Sequence, residues 1–203
     1  MDLVDLFPKT IAVATLKTLT PDFIHSAIDY IDKSAQIDLS TDGSFTKEQH
    51  LLEHELFHDV RQEIIGLCKQ FSESYDHIVE DITICNSWAN IVTSGESIRV
   101  HQHANSYISG SFYLTEGSPF NIRNPGHFNL FGFLPKLKDD PHPRSWEGFT
   151  IDPKPGRIVM FPSGLEHGVH PSLSELVRYS IAFNAVPLGV IGEPTFLLDV
   201  RMK

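Results

Sequence analysis

Three histidines in this chain are spaced so that one metal ion could engage all of them. His101 and His103 are two residues apart in the β-like run SIRVHQH, and residues at i and i+2 of a strand leave the same face. His167 follows much later, after the β-type run GRIVMF and a turn containing Pro162 and Gly164. A neutral imidazole nitrogen suits iron, cobalt, nickel or zinc. Two ligands from one strand and a third from a distant strand can occupy one face of an octahedron, leaving the opposite face for substrate and cofactor. The usual arrangement for oxygen chemistry has two histidines and one carboxylate, and here His103 stands in the carboxylate position. Three neutral ligands leave a divalent ion its full charge, which strengthens its pull on anions and narrows the difference between an iron and a zinc site.

A cation is placed one strand away. Arg178 and Ser180 share a face of VRYSIAFNAV if that strand is regular. A guanidinium holds a carboxylate through two parallel hydrogen bonds, and a hydroxyl can add a third. Alternation through SYISGSFYL brings Ser109, Ser111 and Tyr113 to one face, so the Tyr113 phenol can donate to the same carboxylate. Taken singly, these are a surface arginine, a strand hydroxyl and a packing aromatic. Taken together around His167, they describe one pocket for a metal and an acid. Trp88 and Asn90 are also two apart and could share a face, with Trp88 read as core or pocket wall.

The elements that must position these groups follow from periodicity. The runs VDLF and TIAVATL suggest an early edge strand. Leu19 to Gln36 reads as a helix, with Thr20 as cap, Pro21 at its first position and Phe23, Ile24, Ala27, Ile28 and Ile31 on its apolar face. Thr46 and Gln49 suggest a capping box before a second, longer helix reaching about Tyr75. From Ile82 the period changes to that of strands, ending with VRYSIAFNAV and TFLLDV. Residues 116–150 read as strand fragments and loops at the rim of a site. Many short strands preceded by helices predict a mainly β, double-sheet domain with helical cover over about 19–75 and a β core over about 82–200.

Other histidines carry weaker signals. His50, His54 and His58 recur every four residues, and HELFH matches the letters of the HExxH zinc motif, with Glu55 as its base. A short pattern arises readily in a chain with 11 histidines. His127, His142 and His170 read as loop or orienting residues, His170 being the closest to His167 in sequence. Phe128, Phe131, Phe133 and Trp146 could line an apolar entrance or complete the core. Lys136, Lys138 and Arg144 could attract an acidic substrate, a signal diluted by Asp139 and Asp140.

Composition narrows the classes. At 203 residues and 41% hydrophobic content, the chain can bury a substantial core as one domain. Its net charge of −10 disfavours extended nucleic acid and says little about a small anion in a local pocket. Cys68 and Cys85 form no CxxC pair and are too few for a disulfide framework, which suits a reducing compartment. The N-terminal stretch has neither a long apolar span nor a basic region before a cleavage site, so neither membrane insertion nor secretion is expected. β domains can pair through exposed sheet faces, which allows a homodimer.

The combination of Trp88-x-Asn90, HQHANSYISGSFYL, GRIVMFPSGLEHGV and RYSIAFN resembles the 2-oxoglutarate- and iron(II)-dependent oxygenases of bacterial and bacteriophage type. The likeness spans roughly residues 84–184. It implies the double-stranded β-helix fold, a cupin-like jelly roll, and a cytoplasmic location in a bacterial or phage-infected cell. It further implies Fe(II) at His101 and His167, with His103 where the wider superfamily has Asp or Glu. Arg178 and Ser180 would hold the distal carboxylate of 2-oxoglutarate, with help from Tyr113. The implied reaction uses dioxygen and releases succinate and carbon dioxide while oxidising an unidentified substrate. Two alternatives stay open: a three-histidine, cupin-like metal enzyme without 2-oxoglutarate, and a noncatalytic jelly-roll module.

Overall fold

The computed structural model describes residues 9–124, 136, 138, 139 and 147–201. The chain enters through β1 (Ala12–Thr15). The Thr20 hydroxyl then accepts the Phe23 N–H and Pro21 opens α1 (Pro21–Lys33), as the local sequence predicts. Ser34 closes this helix earlier than expected, because Gln36 begins a short hairpin of β2 (Gln36–Asp38) and β3 (Ser44–Thr46). Residues 39–43 connect the two strands of this hairpin.

The second helix departs from the sequence reading. Thr46 does not cap it: this buried residue ends β3, where its hydroxyl accepts the Ala89 N–H at 3.0 Å. Residues 51–57 form two short 3-10 turns, and α2 (His58–Glu73) begins only after them. Long-range contacts outweigh helical periodicity here. The Leu52 N–H donates to Ser87 Oγ at 2.9 Å and the Ser87 N–H donates to Gln49 O at 2.8 Å, which ties the segment to the sheet. Leu51, Leu52 and Phe57 are thereby fully buried without a continuous helix.

Nine further strands among the described residues would crowd a single layer, and with β1–β3 they divide instead between two antiparallel sheets. After α2 come β4 (Asp81–Val92), β5 (Ile98–His101), β6 (Ile108–Tyr113), β7 (Phe120–Arg123) and β8 (Gly148–Ile151). They are followed by β9 (Arg157–Pro162), β10 (His167–Val169), β11 (Arg178–Ile191) and β12 (Leu198–Val200). The larger sheet runs β1-β9-β6-β11-β4-β3-β2 with β12 added beside β11, and the smaller runs β5-β10-β7-β8. This is the jelly-roll, double-stranded β-helix arrangement.

Strand alternation assigns the two faces of the larger sheet. Ile108, Phe112, Ile158, Met160, Ile181 and Phe183 turn toward α1 and α2 and form the main core with Ala27, Ile31, Val60 and Ile64. Burial of a side chain such as Phe112 or Phe183 contributes about 1.5–3 kcal/mol. On the opposite face, Tyr113, Val159 and Phe161 pack against Phe120, Ile122 and Ile151 of the smaller sheet. The space between the sheets is therefore apolar at one end and lined by polar strand residues at the other. Among the described residues, no helix is long and apolar enough to cross a membrane.

Candidate metal and anion site

His101 and His167 meet because their strands pair. They are register partners across β5 and β10, with ring centroids 4.4 Å apart. Close approach of the strands depends on Gly168, where a Cβ would lie 2.6 Å from Ile98 O. Gly168→Ala is expected to push β5 outward, separate the two rings and weaken metal binding by about 10-fold. Cobalt(II) titration with a parallel far-ultraviolet circular dichroism spectrum checks that the loss is local.

His103 completes the group by a different route from the one the sequence suggests. β5 ends at His101, so a shared strand face does not place His103. Its backbone N–H donates to Ser163 O at 2.9 Å, and its ring stacks on Trp88 at 6.0 Å between centroids. The ligand atoms of His101, His103 and His167 lie within 4.8 Å of one another. Nδ1 of His101 is 2.8 Å from Arg99 O and Nδ1 of His167 is 2.8 Å from Leu165 O. A carbonyl oxygen can only accept, so each Nδ1 carries the proton and each Nε2 keeps a free lone pair. Converging neutral nitrogens with their other ring nitrogen occupied are the donor chemistry a divalent transition metal requires.

Burial favours the neutral form of His167 and His103. The His167 imidazole is held at about 3, chiefly by desolvation, against an ordinary 6.5. His103 is lowered as well, first by burial and then by the neighbouring His101. The folded protein therefore resists protons that the unfolded chain accepts below about pH 6.5. Stability of the metal-free protein is present above that pH and is lost as pH falls toward 3. Urea midpoints at pH 7 and pH 5 should fall more for the parent than for His167→Gln, which lacks the titrating ring.

The larger sheet faces these rings with a single cation. Arg178 is 1% exposed, the largest fully buried side chain among the described residues. Its Nη1 donates to Ser180 Oγ at 2.9 Å and its guanidinium carbon lies 5.0 Å from the Tyr113 ring centroid. Among the described residues no carboxylate pairs with it, and its Nε and the Tyr113 hydroxyl have no hydrogen-bond partner. Burial alone lowers its affinity for the proton, and burial raises the Tyr113 phenol to about 12. An unpaired buried charge costs several kcal/mol. Two orphaned donors beside it describe a socket awaiting an anion with more than one oxygen.

Register explains why these groups converge. Ser180 stands opposite Tyr113 on β6 and opposite Asn90 on β4, so the three form one row across the sheet. The Trp88 indole N–H donates to Asn90 Oδ1 at 3.1 Å. The three histidines, Arg178, Ser180 and Asn90 line one cavity of roughly 150 Å³, walled by Phe120, Phe161 and Val169. That volume is below the about 300–1,000 Å³ typical of sites for drug-sized ligands and suits a small acid.

The chain matches the 2OG-Fe(II) oxygenase family model over residues 86–184, the stretch that carries all of these groups. Over that stretch, just under half of its length, the chain is similar to the 2-oxoglutarate- and iron(II)-dependent oxygenases. This family is a catalytic one within the double-stranded β-helix superfamily. Solved structures give the same fold. The α-ketoglutarate-dependent epimerase SnoN from nogalamycin biosynthesis is 8% identical, with 89% of this chain and 80% of that chain covered at a TM-score of 0.64. HygX from Streptomyces hygroscopicus, solved with nickel, 2-oxoglutarate and hygromycin B bound, is 14% identical, with coverage of 88% and 83% and a TM-score of 0.58. A Pseudomonas putida prolyl-4-hydroxylase is 14% identical, with coverage of 89% and 94% and a TM-score of 0.59. At such identities the likeness establishes the fold alone. No curated protein matches in sequence.

The chain's ligand set differs from two histidines and a carboxylate. Three imidazoles and no carboxylate converge among the described residues, which matches the three-histidine alternative better than two histidines and a carboxylate. The HELFH rival is overturned. His54 lies between the two 3-10 turns and His58 is the first residue of α2, and His54 Nδ1 accepts the Leu56 N–H at 3.2 Å. HExxH needs both rings on one helical face. His170 is exposed beyond β10 and does not join the cluster. Lys136 and Lys138 are exposed. His127, Phe128, Phe131, Phe133, Asp140, His142, Arg144 and Trp146 lie outside the described residues. The sequence reading assigned no role to Ser106, Ser163 or Asn184, although Asn184 continues the even spacing from Arg178 through Ser180.

Proposed function

We propose that this oxygenase is an iron(II)- and 2-oxoglutarate-dependent dioxygenase, with residues 1–203 acting as one domain. Arg178 carries the reading: a buried guanidinium with a free Nε, a hydroxyl at its side and no carboxylate partner among the described residues favours a dicarboxylic acid. HygX, which shares the fold, holds nickel and 2-oxoglutarate. His101, His103 and His167 would hold the metal through one nitrogen each. Bound together, metal and 2-oxo acid supply oxidative decarboxylation, in which dioxygen, 2-oxoglutarate and a substrate C–H give succinate, carbon dioxide and a hydroxylated product.

The protein's share of this chemistry is binding, orientation and exclusion of water. Arg178 would grip the distal carboxylate with two parallel hydrogen bonds, Ser180 would add a hydroxyl and Tyr113 would donate its phenolic proton. Phe120, Phe161 and Val169 keep this end of the cavity dry, which strengthens the ion pair. Trp88 holds the His103 ring by stacking. No side-chain base is required.

A second reading has its own observation. An all-imidazole donor set favours a three-histidine metal enzyme that does not use 2-oxoglutarate. Anaerobic titration of the iron(II)-loaded protein with 2-oxoglutarate separates the two. A saturable visible charge-transfer band, followed by succinate formation on exposure to air, supports the proposal. Full iron occupancy with no band and no succinate would select the second reading.

A further inference from the structure

Two of the three rings are oriented by their own chain, since His101 and His167 each donate Nδ1–H to the carbonyl two residues back. His103 lies beyond the end of β5, so strand register does not hold it. Two rings lie nearly parallel to its own: His167, with centroids 5.1 Å apart and planes at 19°, and Trp88, at 6.0 Å and 18°. Stacked rings at such spacings attract one another. Trp88 is itself only half-buried on the cavity wall. Its register partner on β11 is Ala182, whose methyl group offers the indole little surface. The indole is tethered instead by Asn90, two residues on and on the same face of β4, whose Oδ1 accepts the indole N–H at 3.1 Å. An indole nitrogen can only donate, so this bond also fixes which end of the carboxamide faces Trp88. Asn90 in turn stands opposite Ser180, in the row that borders Arg178.

We infer that Asn90 is a positioning residue that aims His103 through Trp88: the carboxamide fixes the indole, and the indole fixes the plane of the imidazole. The tether does for this ring what backbone carbonyls do for the other two. The physical reason is that a ring free to swing presents its nitrogen over a range of directions and loses that freedom when a metal binds, whereas a ring already held loses little. A residue without strand register needs that constraint from elsewhere. Asn90 supplies it from the wall that also carries Ser180, so the third metal ligand is tied to the side of the cavity that faces the anion. This inference rests on the three-histidine metal-centre reading and does not depend on 2-oxoglutarate.

Cobalt(II) alone is the probe, titrated into the parent, Asn90→Ala, Trp88→Phe and the double variant while the visible d–d bands are followed. The phenylalanine keeps a ring that can stack but has no N–H to donate. Asn90→Ala and Trp88→Phe should each weaken cobalt binding about 10-fold and change the band pattern. Because both cut the same tether, the double variant should be no weaker than the poorer single one, where independent effects would multiply to about 100-fold. Asn90→Leu, close in size but without an acceptor, is the variant to read if Asn90→Ala does not fold. Parental affinity and bands in either single variant would overturn the inference, as would a double variant about 100-fold weaker than the parent. Failure of the parent itself to take up cobalt would remove the metal-centre reading and this inference with it.

Discussion

Arg178→Met is expected to abolish 2-oxoglutarate binding while making the ligand-free protein more stable. Both effects come from the same observation. The Arg178 guanidinium is withdrawn from water with a neutral hydroxyl and an aromatic ring for company, and burying a charge without a counterion costs several kcal/mol. A methionine of similar length removes that cost and fills the space. The same change deletes two charge-assisted hydrogen bonds to the acid, worth about 1.5–3 kcal/mol each. The dissociation constant should therefore rise at least about 100-fold.

Thermal melts read both sides of this prediction. Acid present at about 100 times its dissociation constant stabilises the parent by about 2.7 kcal/mol. In a chain of this size that corresponds to an upward shift of about 5–10 °C. Arg178→Met should start higher than the parent and show no shift. Arg178→Lys should recover little, because an ammonium is a point charge without the planar fork. Cobalt uptake should be unchanged in both variants, since His101 and His167 lie on other strands and His103 lies beyond the end of β5. An Arg178→Met protein that still gains the parental shift with 2-oxoglutarate would remove Arg178 from the binding site.

The second large effect is expected at His167. It is 5% exposed, central to the ring cluster, and keeps Nε2 free through its bond to Leu165 O. His167→Ala should eliminate stoichiometric iron uptake and, with it, succinate formation. His167→Gln is the control for folding, because its amide can still donate to the Leu165 carbonyl without replacing an imidazole donor. His103→Asp should instead retain iron, since a carboxylate there restores the two-histidine, one-carboxylate set. Metal content after loading and desalting gives the answer directly. Parental iron stoichiometry in His167→Ala and His167→Gln would dismantle the assigned centre.

Period-two alternation made much of the site readable in advance. Arg178 and Ser180 share a face of β11, Tyr113 stands across from Ser180, and His101 is on a strand as its neighbours Ile98 and Val100 suggest. The same rule placed His103 on a strand that ends two residues too early. Where β5 stops depends on its pairing with β10, in which His101 and His167 are partners, and pairing is not a local property. Helical periodicity misplaced the start of α2 for a related reason. Leu51 and Leu52 are spaced as a helix would have them, yet Ser87 captures the backbone of this segment for the sheet.

By itself, the sequence determined the Thr20 cap, the β-rich character, the shared face of Arg178 and Ser180 and the residue types of the five predicted groups that line the cavity, because each depends on alternation, spacing or side-chain chemistry within a few residues. Only the tertiary structure decided that Arg178 has no carboxylate partner among the described residues, that HELFH is a turn, and that His103 stands beyond the end of β5 with its backbone N–H on Ser163 O. Those facts are set by which distant strands pair and in what register. No local pattern of residue types encodes them.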